Sequence, residues 1–99
     1  MEIRIQAIHF DATDQLQGFI EKKAAKLQRF YDEIDVVEVI LKVVKPETAM
    51  NKQADIKVKV KNDELFASKV CDTFEESVDD CLDALQKQLQ KYKDKNRGK

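Results

Sequence analysis

The chain is predicted to fold as an α+β two-layer β-α-β-β-β-α sandwich, with two helices on one face of a four-stranded sheet. Three observations predict this. Two segments carry apolar residues at helical spacing. Four shorter runs are β-branched or alternate apolar with polar at a period of two. Only two glycines and one proline occur in 99 residues, which argues against long linkers or low-complexity stretches.

Residues 2–8 form the first strand, with Ile3, Ile5 and Ala7 alternating against Glu2, Arg4 and Gln6. Asp11, Thr13 and Asp14 supply helix-start chemistry, and Thr13 or Asp11 is the expected N-cap. The helix over about residues 14–31 has one apolar face of Leu16, Phe19, Ile20, Ala24, Leu27, Phe30 and Tyr31. Gly18 is its weak point, at about 1 kcal/mol relative to alanine.

Val36 to Val44 is nearly all apolar and reads as a central strand. A polar loop follows Lys45-Pro46, with Glu47, Thr48 and Asn51. Ala54, Ile56, Val58 and Val60 then alternate with Asp55, Lys57, Lys59 and Lys61, a strand with one buried and one wet face. Asn62-Asp63 is a two-residue turn of a kind that tolerates positive φ, so a hairpin into a last strand at about 64–70 is expected. Asp72 is the expected N-cap of the second helix, with Glu75 completing a capping box. Its seam is Phe74, Val78, Cys81, Leu82, Leu85, Leu89 and Tyr92. Beyond Lys93 the DKNRGK tail is polar and expected to fray, so the domain is placed at 1–95 with a flexible basic tail at 96–99.

A chain of 99 residues is one domain, and it buries roughly 60–65% of its unfolded surface. Its 42% hydrophobic and 37% charged content is that of a globular domain with a heavily charged surface. The start, MEIRIQAIHF, lacks a leader pattern, and no apolar run approaches the ~20 residues of a membrane span. A cytoplasmic protein without a membrane partner is expected. Cys71 and Cys81 lack metal or redox spacing, and a reducing compartment keeps them as thiols. Cys81 falls on the apolar seam as a small core residue.

Charge is the main functional signal. Asp72, Glu75, Glu76, Asp79, Asp80 and Asp83 stand without a basic residue among them, whereas Lys87, Lys91, Lys93, Lys95, Arg97 and Lys99 follow against one acid, Asp94. The net charge of −1 therefore hides a dipolar molecule. Helix-dipole compensation, at roughly 0.3–1 kcal/mol per charge, accounts for part of this, but that effect fades beyond the terminal turns. On the first helix Lys22, Lys26 and Arg29 lie at i, i+4 and i+7, within about 60° of arc. Like charges so spaced cost a few tenths of a kcal/mol each. Lys23 falls among the apolar positions and is expected to snorkel to the same rim. Lys87, Lys91 and Lys95 form a second line, and side-by-side helices would let the two rows flank a shared groove. Rows about 10 Å apart suit a folded RNA, read through shape, phosphates and 2′-hydroxyls.

Catalysis has little support. His9 is the single histidine, and no nucleophile–base set, glycine-rich phosphate loop or Cys/His metal pattern is present in the sequence. No cofactor and no small-molecule substrate are expected.

Together these residues resemble the ribosome hibernation promoting factor family, also called the ribosome-associated inhibitor or sigma-54 modulation protein family, over nearly the whole chain. The resemblance is carried by Lys23-x-x-Lys26-Leu27, Phe30-Tyr31-Asp32-x-Ile34 and Val39-x-Leu41-Lys42-Val43. Ala54-Asp55-Ile56, Ala67-Ser68 and Asp72-x-Phe74-x-x-Ser77-Val78-Asp79 follow, then Leu85-x-Lys87-Gln88-Leu89-x-Lys91-Tyr92-Lys93-Asp94-Lys95. It implies a fold similar to double-stranded RNA-binding domains. It also implies binding to the small ribosomal subunit and the 70S ribosome, in the mRNA and tRNA channel. Translation would thereby be inhibited and idle ribosomes protected in stationary phase or stress. The family's contacts to 16S rRNA map onto Lys23, Lys26, Lys87, Lys91, Lys93 and Lys95; helix geometry adds Lys22 and Arg29. Many relatives have a basic residue at Ala84, and Phe74 and Ser77-Val78 replace Tyr and Ala-Ile. The chain resembles the short form of the family, expected to be a monomer off the ribosome. The alternative is a protein-interaction module that modulates a transcription factor such as a sigma factor.

Overall fold

The structure, a computed structural model, describes residues 1–44 and 50–97, the last two as backbone alone. The order is β1 (Glu2–Ala7), α1 (Asp14–Phe30), β2 (Ile34–Val43), β3 (Lys52–Val60), β4 (Asp63–Cys71) and α2 (Phe74–Arg97). The strands form one sheet in the order β1-β2-β3-β4. β1 runs parallel to β2, which the α1 crossover permits, and β2-β3 and β3-β4 are antiparallel. The α+β sandwich read from the sequence is the observed fold.

Period-two alternation decides which face of the sheet is covered. Val37, Val39 and Leu41 of β2 and Ala54, Ile56 and Val58 of β3 point into the helix layer and are buried. Ile20, Ala24, Leu85 and Leu89 meet them with no exposed surface. Phe10 stacks on Phe74 at 5.0 Å between ring centroids, which ties the β1–α1 connection to the start of α2. Tyr31 meets Tyr92 edge-on at 5.6 Å at the far end of the helix pair. Burial, with the Glu33 carboxylate accepting from its hydroxyl, pushes the Tyr31 phenol up to about 12.

Thr13 caps α1, accepting from the Leu16 amide at 3.1 Å. The cap of α2 differs from expectation. Thr73, not Asp72, is the N-cap: its hydroxyl accepts from the Glu76 amide at 3.1 Å, and its carbonyl accepts from the Ser77 amide. The register is set by Ser77, fully buried, whose hydroxyl donates to the Lys52 carbonyl of β3. The β3–β4 turn also shifts. Val60 is buried and pairs with Asp63, so the two connecting residues are Lys61 and Asn62. Neither has positive φ; among the described residues His9 alone does, at 65°. Lys61 therefore leaves the wet face for the turn. β2 starts two residues earlier than expected, because Ile34 pairs with Val60 across an irregularity before Val36.

α2 is helical through Arg97, four residues beyond Lys93. Of the expected tail over 96–99, residues 96 and 97 belong to this helix and 98–99 lie outside the described residues. The expected loop residues Glu47 and Thr48 also lie outside the described residues, whereas Asn51 is buried and its carbonyl accepts from the Val44 amide at 2.8 Å.

Candidate nucleic-acid interface

The eight cations assigned to rRNA contact from the sequence all lie on the two helices. Lys22, Lys26 and Arg29 are exposed along α1, and Lys87, Lys91, Lys93 and Lys95 are exposed along α2. Among the described residues none of these seven has a carboxylate within 4.0 Å. Their charge is uncompensated by contact.

Lys23 behaves differently. Its side chain keeps 30% of its surface exposed, lies 5.5 Å from the Phe19 ring centroid and ends 3.6 Å from the Asp79 carboxylate of α2. The expected snorkelling is present, but the ammonium reaches an acid of the neighbouring helix. Lys23 thus bridges the two helices.

A groove runs between α1 and α2. Its wider section, about 610 Å³, has Lys23, Lys26 and Arg29 on one wall and Asp79, Asp83 and Gln86 on the other. Leu27, Phe30 and Leu82 line its apolar floor. A narrower section continues past Phe30, Asp83 and Gln86 to Lys87 and Gln90. The two basic rows do not face each other across this groove as the sequence spacing suggested. Of the α2 row, only Lys87 borders it among the described lining. Gln88 donates its amide to the Phe66 carbonyl of β4 at 3.0 Å, so that flank of α2 faces the sheet edge. At about 100° per residue, Lys95 lies on that same flank and Lys91 one step outward from it.

Lys93 occupies the opposite flank. Its ammonium lies 5.8 Å from the Phe30 ring centroid, beside Arg29, Tyr31 and Glu33 at the end of α1. The basic half of α2 is thus a sleeve around the helix rather than a single row. The groove residues Asp83, Gln86 and Phe30 were not singled out as functional from the sequence. The i, i+4, i+7 spacing of Asp79, Asp83 and Gln86 on one flank was the signal.

The sheet's open face is the contrast. Lys59 pairs with Glu38 at 3.6 Å, Lys57 with Glu64 at 3.8 Å and Lys42 with Asp55 at 3.6 Å. Ser68 and Gln53 donate to Asp55. Burial raises the Asp55 carboxyl's pKa, but those two hydrogen bonds and the Lys42 charge outweigh it, leaving it below its ordinary 3.8.

Among the described residues no three histidine, cysteine or acidic side chains are grouped to hold a metal ion. No helix there is long and apolar enough to cross a membrane. His9 is exposed at the end of β1. Cys81 is buried with its thiol near the Ala54 carbonyl, and burial pushes it up to about 12. Cys71 closes β4, buried, with its sulfur 3.5 Å from Asp80.

Comparison with known proteins agrees with this architecture. The chain is 33% identical over 95 residues to the ribosome hibernation promoting factor of Escherichia coli, covering 96% of each. It is 26% identical over 98 residues to that of Pseudomonas putida, covering 99% of this chain and 92% of the relative. A ribosomal subunit interface protein from Coxiella burnetii superposes with a TM-score of 0.84 at 29% identity, over 94% of this chain and 98% of the other. The N-terminal domain of Thermus thermophilus Protein Y shares the fold, with a TM-score of 0.80 at 22% identity over 93% and 99% of the two chains. Residues 3–97 match the profile described as sigma 54 modulation protein / S30EA ribosomal protein. With that match over nearly its whole length, the chain belongs to the sigma 54 modulation protein / S30EA ribosomal protein family.

Proposed function

We propose that this protein is a ribosome-associated hibernation factor without enzymatic activity. It binds 16S rRNA in the mRNA and tRNA channel of the small subunit and keeps idle ribosomes inactive under stress or in stationary phase. The observation that carries this reading is the set of exposed cations on the helix layer with no acidic partner among the described residues. Like-charged residues at i, i+4 spacing cost the helix stability, and a polyanion offsets that cost by releasing its own counterions. Long lysines on a rigid helical surface suit phosphate positioning without base-by-base readout. The hibernation names of the curated relatives support the same partner.

The experiment is competition on purified 30S subunits. The labelled chain should bind, and mRNA together with P-site tRNA should displace it. Simultaneous occupancy by all three would exclude the channel as the site. The second reading, modulation of a sigma factor, has support in the family's description. It predicts capture by that protein with weak salt dependence and no retention on 30S.

A further inference from the structure

Phosphate binding leaves one groove residue unexplained. Asp83 borders both sections of the inter-helix groove, and among the described residues its carboxylate has neither an ion-pair nor a hydrogen-bond partner. A carboxylate beside Lys26, Arg29 and Lys87 repels the phosphates those cations attract. Helix-start electrostatics do not account for it, because Asp83 lies about two and a half turns into α2. Neighbouring Asp79 is engaged by Lys23 and closes that end of the groove.

The surroundings of Asp83 are those an unstacked nucleotide requires. Phe30 and Leu82 give an apolar floor, Gln86 adds an amide at the same wall, and Lys26 and Arg29 stand opposite. RNA-binding proteins hold unpaired bases in this way, with an aromatic against the ring and polar groups on its edge. The volume of about 610 Å³ lies within the 300–1,000 Å³ typical of small-ligand sites.

We propose that the groove receives one unpaired guanine of the bound RNA, with its ring against Phe30 and its flanking phosphates on Lys26 and Arg29. Its N1–H and N2–H donors meet the Asp83 carboxylate. Guanine alone among the four bases presents two adjacent N–H donors on its Watson–Crick edge, matching the two oxygens of a carboxylate. Adenine and cytosine place a ring acceptor there, and uracil flanks its single N–H with carbonyls. Asp83 is then a specificity residue. The inference rests on the rRNA-binding reading above and deepens it.

The test uses the full chain and a fluorescent RNA hairpin with one bulged nucleotide, guanine, inosine or adenine, read by anisotropy. The intact protein should prefer guanine over adenine by about tenfold to a hundredfold, as expected for one good bidentate contact, with inosine between them. Asp83→Asn, which keeps the shape, should erase that preference and weaken guanine binding, although it removes a negative charge. Bulk electrostatics predicts the reverse, tighter binding to every hairpin. A variant that binds as tightly as the intact chain, or an intact chain indifferent to the bulged base, overturns the inference. Co-sedimentation with 30S subunits separates the two levels: binding to 30S without a guanine preference sinks the base pocket alone. Failure to bind 30S sinks the proposed function and the pocket with it.

Discussion

On the open face of the sheet, Lys42, Lys57 and Lys59 each end within 4.0 Å of a carboxylate on the neighbouring strand. On the helix layer, Lys22, Lys26, Arg29, Lys87 and Lys91 have no such partner among the described residues. The same residue type is thus used in two ways. Sheet lysines alternate with acids across strands, so their fields cancel locally and give modest stability, about 0.2–1 kcal/mol per pair. Helix lysines stand in rows whose fields add. A basic composition alone says nothing of function; what distinguishes the two faces is whether each charge finds its opposite within the fold. Lys23 marks the boundary, a helix lysine placed where a sheet-like pairing with Asp79 is possible.

Salt gives the largest effect. If about five phosphates are neutralised, the log–log salt slope of ribosome binding is roughly −4, a loss of a few hundredfold over a fourfold rise in salt. Thermal stability should change little over that range. A flat salt response would remove the distinction between the faces. Reversing the sheet pair, Lys57→Glu with Lys59→Glu, should cost roughly 1–2 kcal/mol in chemical denaturation, because each new acid lies beside an old one. Affinity for 30S should be unaffected.

Ser68→Ala tests the sheet network through pH. The Asp55 pKa is depressed in the folded state, so its contribution is full above its ordinary 3.8 and is lost as pH falls through the folded value. Removing the Ser68 hydroxyl, at about 1 kcal/mol, should raise the acid-unfolding midpoint and leave neutral-pH ribosome binding intact. An unchanged midpoint would mean that Ser68 does not hold Asp55. Gly18→Ala should have the smallest effect, a gain of about 0.5–1 kcal/mol. Gly18 is helical and exposed, and a Cβ there meets nothing within 4 Å.

The fold was legible because burial and periodicity agree. Ile56 and Val58 against Lys57 and Lys59, and the Leu85–Leu89 seam, specify one face each. The ends were less legible where two residues offered the same local chemistry. Asp72 and Thr73 can both cap α2, each with a glutamate three residues on; the contact of Ser77 with β3 decides between them. Thr73→Ala should therefore cost about 1 kcal/mol, and Asp72→Ala clearly less. Equal losses in thermal melts would refute that assignment. The cations were legible by type and spacing, but their placement was not. The direction in which α2 turns Lys91 and Lys95 is fixed by Gln88 on the edge of β4, a long-range contact. The mixed wall of Asp83 and Gln86 likewise becomes a groove only when α1 lies beside it.

Under the proposed function, the unpaired helix cations, not the paired sheet cations, are expected to hold the ribosome. Co-sedimentation with 30S subunits at low salt tests it, comparing Lys87→Glu/Lys91→Glu with Lys57→Glu/Lys59→Glu. The helix pair should lose at least about a hundredfold in affinity with its melting temperature nearly unchanged, while the sheet pair binds as the native chain does. Retained binding by the helix pair, or loss by a folded sheet pair, would contradict it.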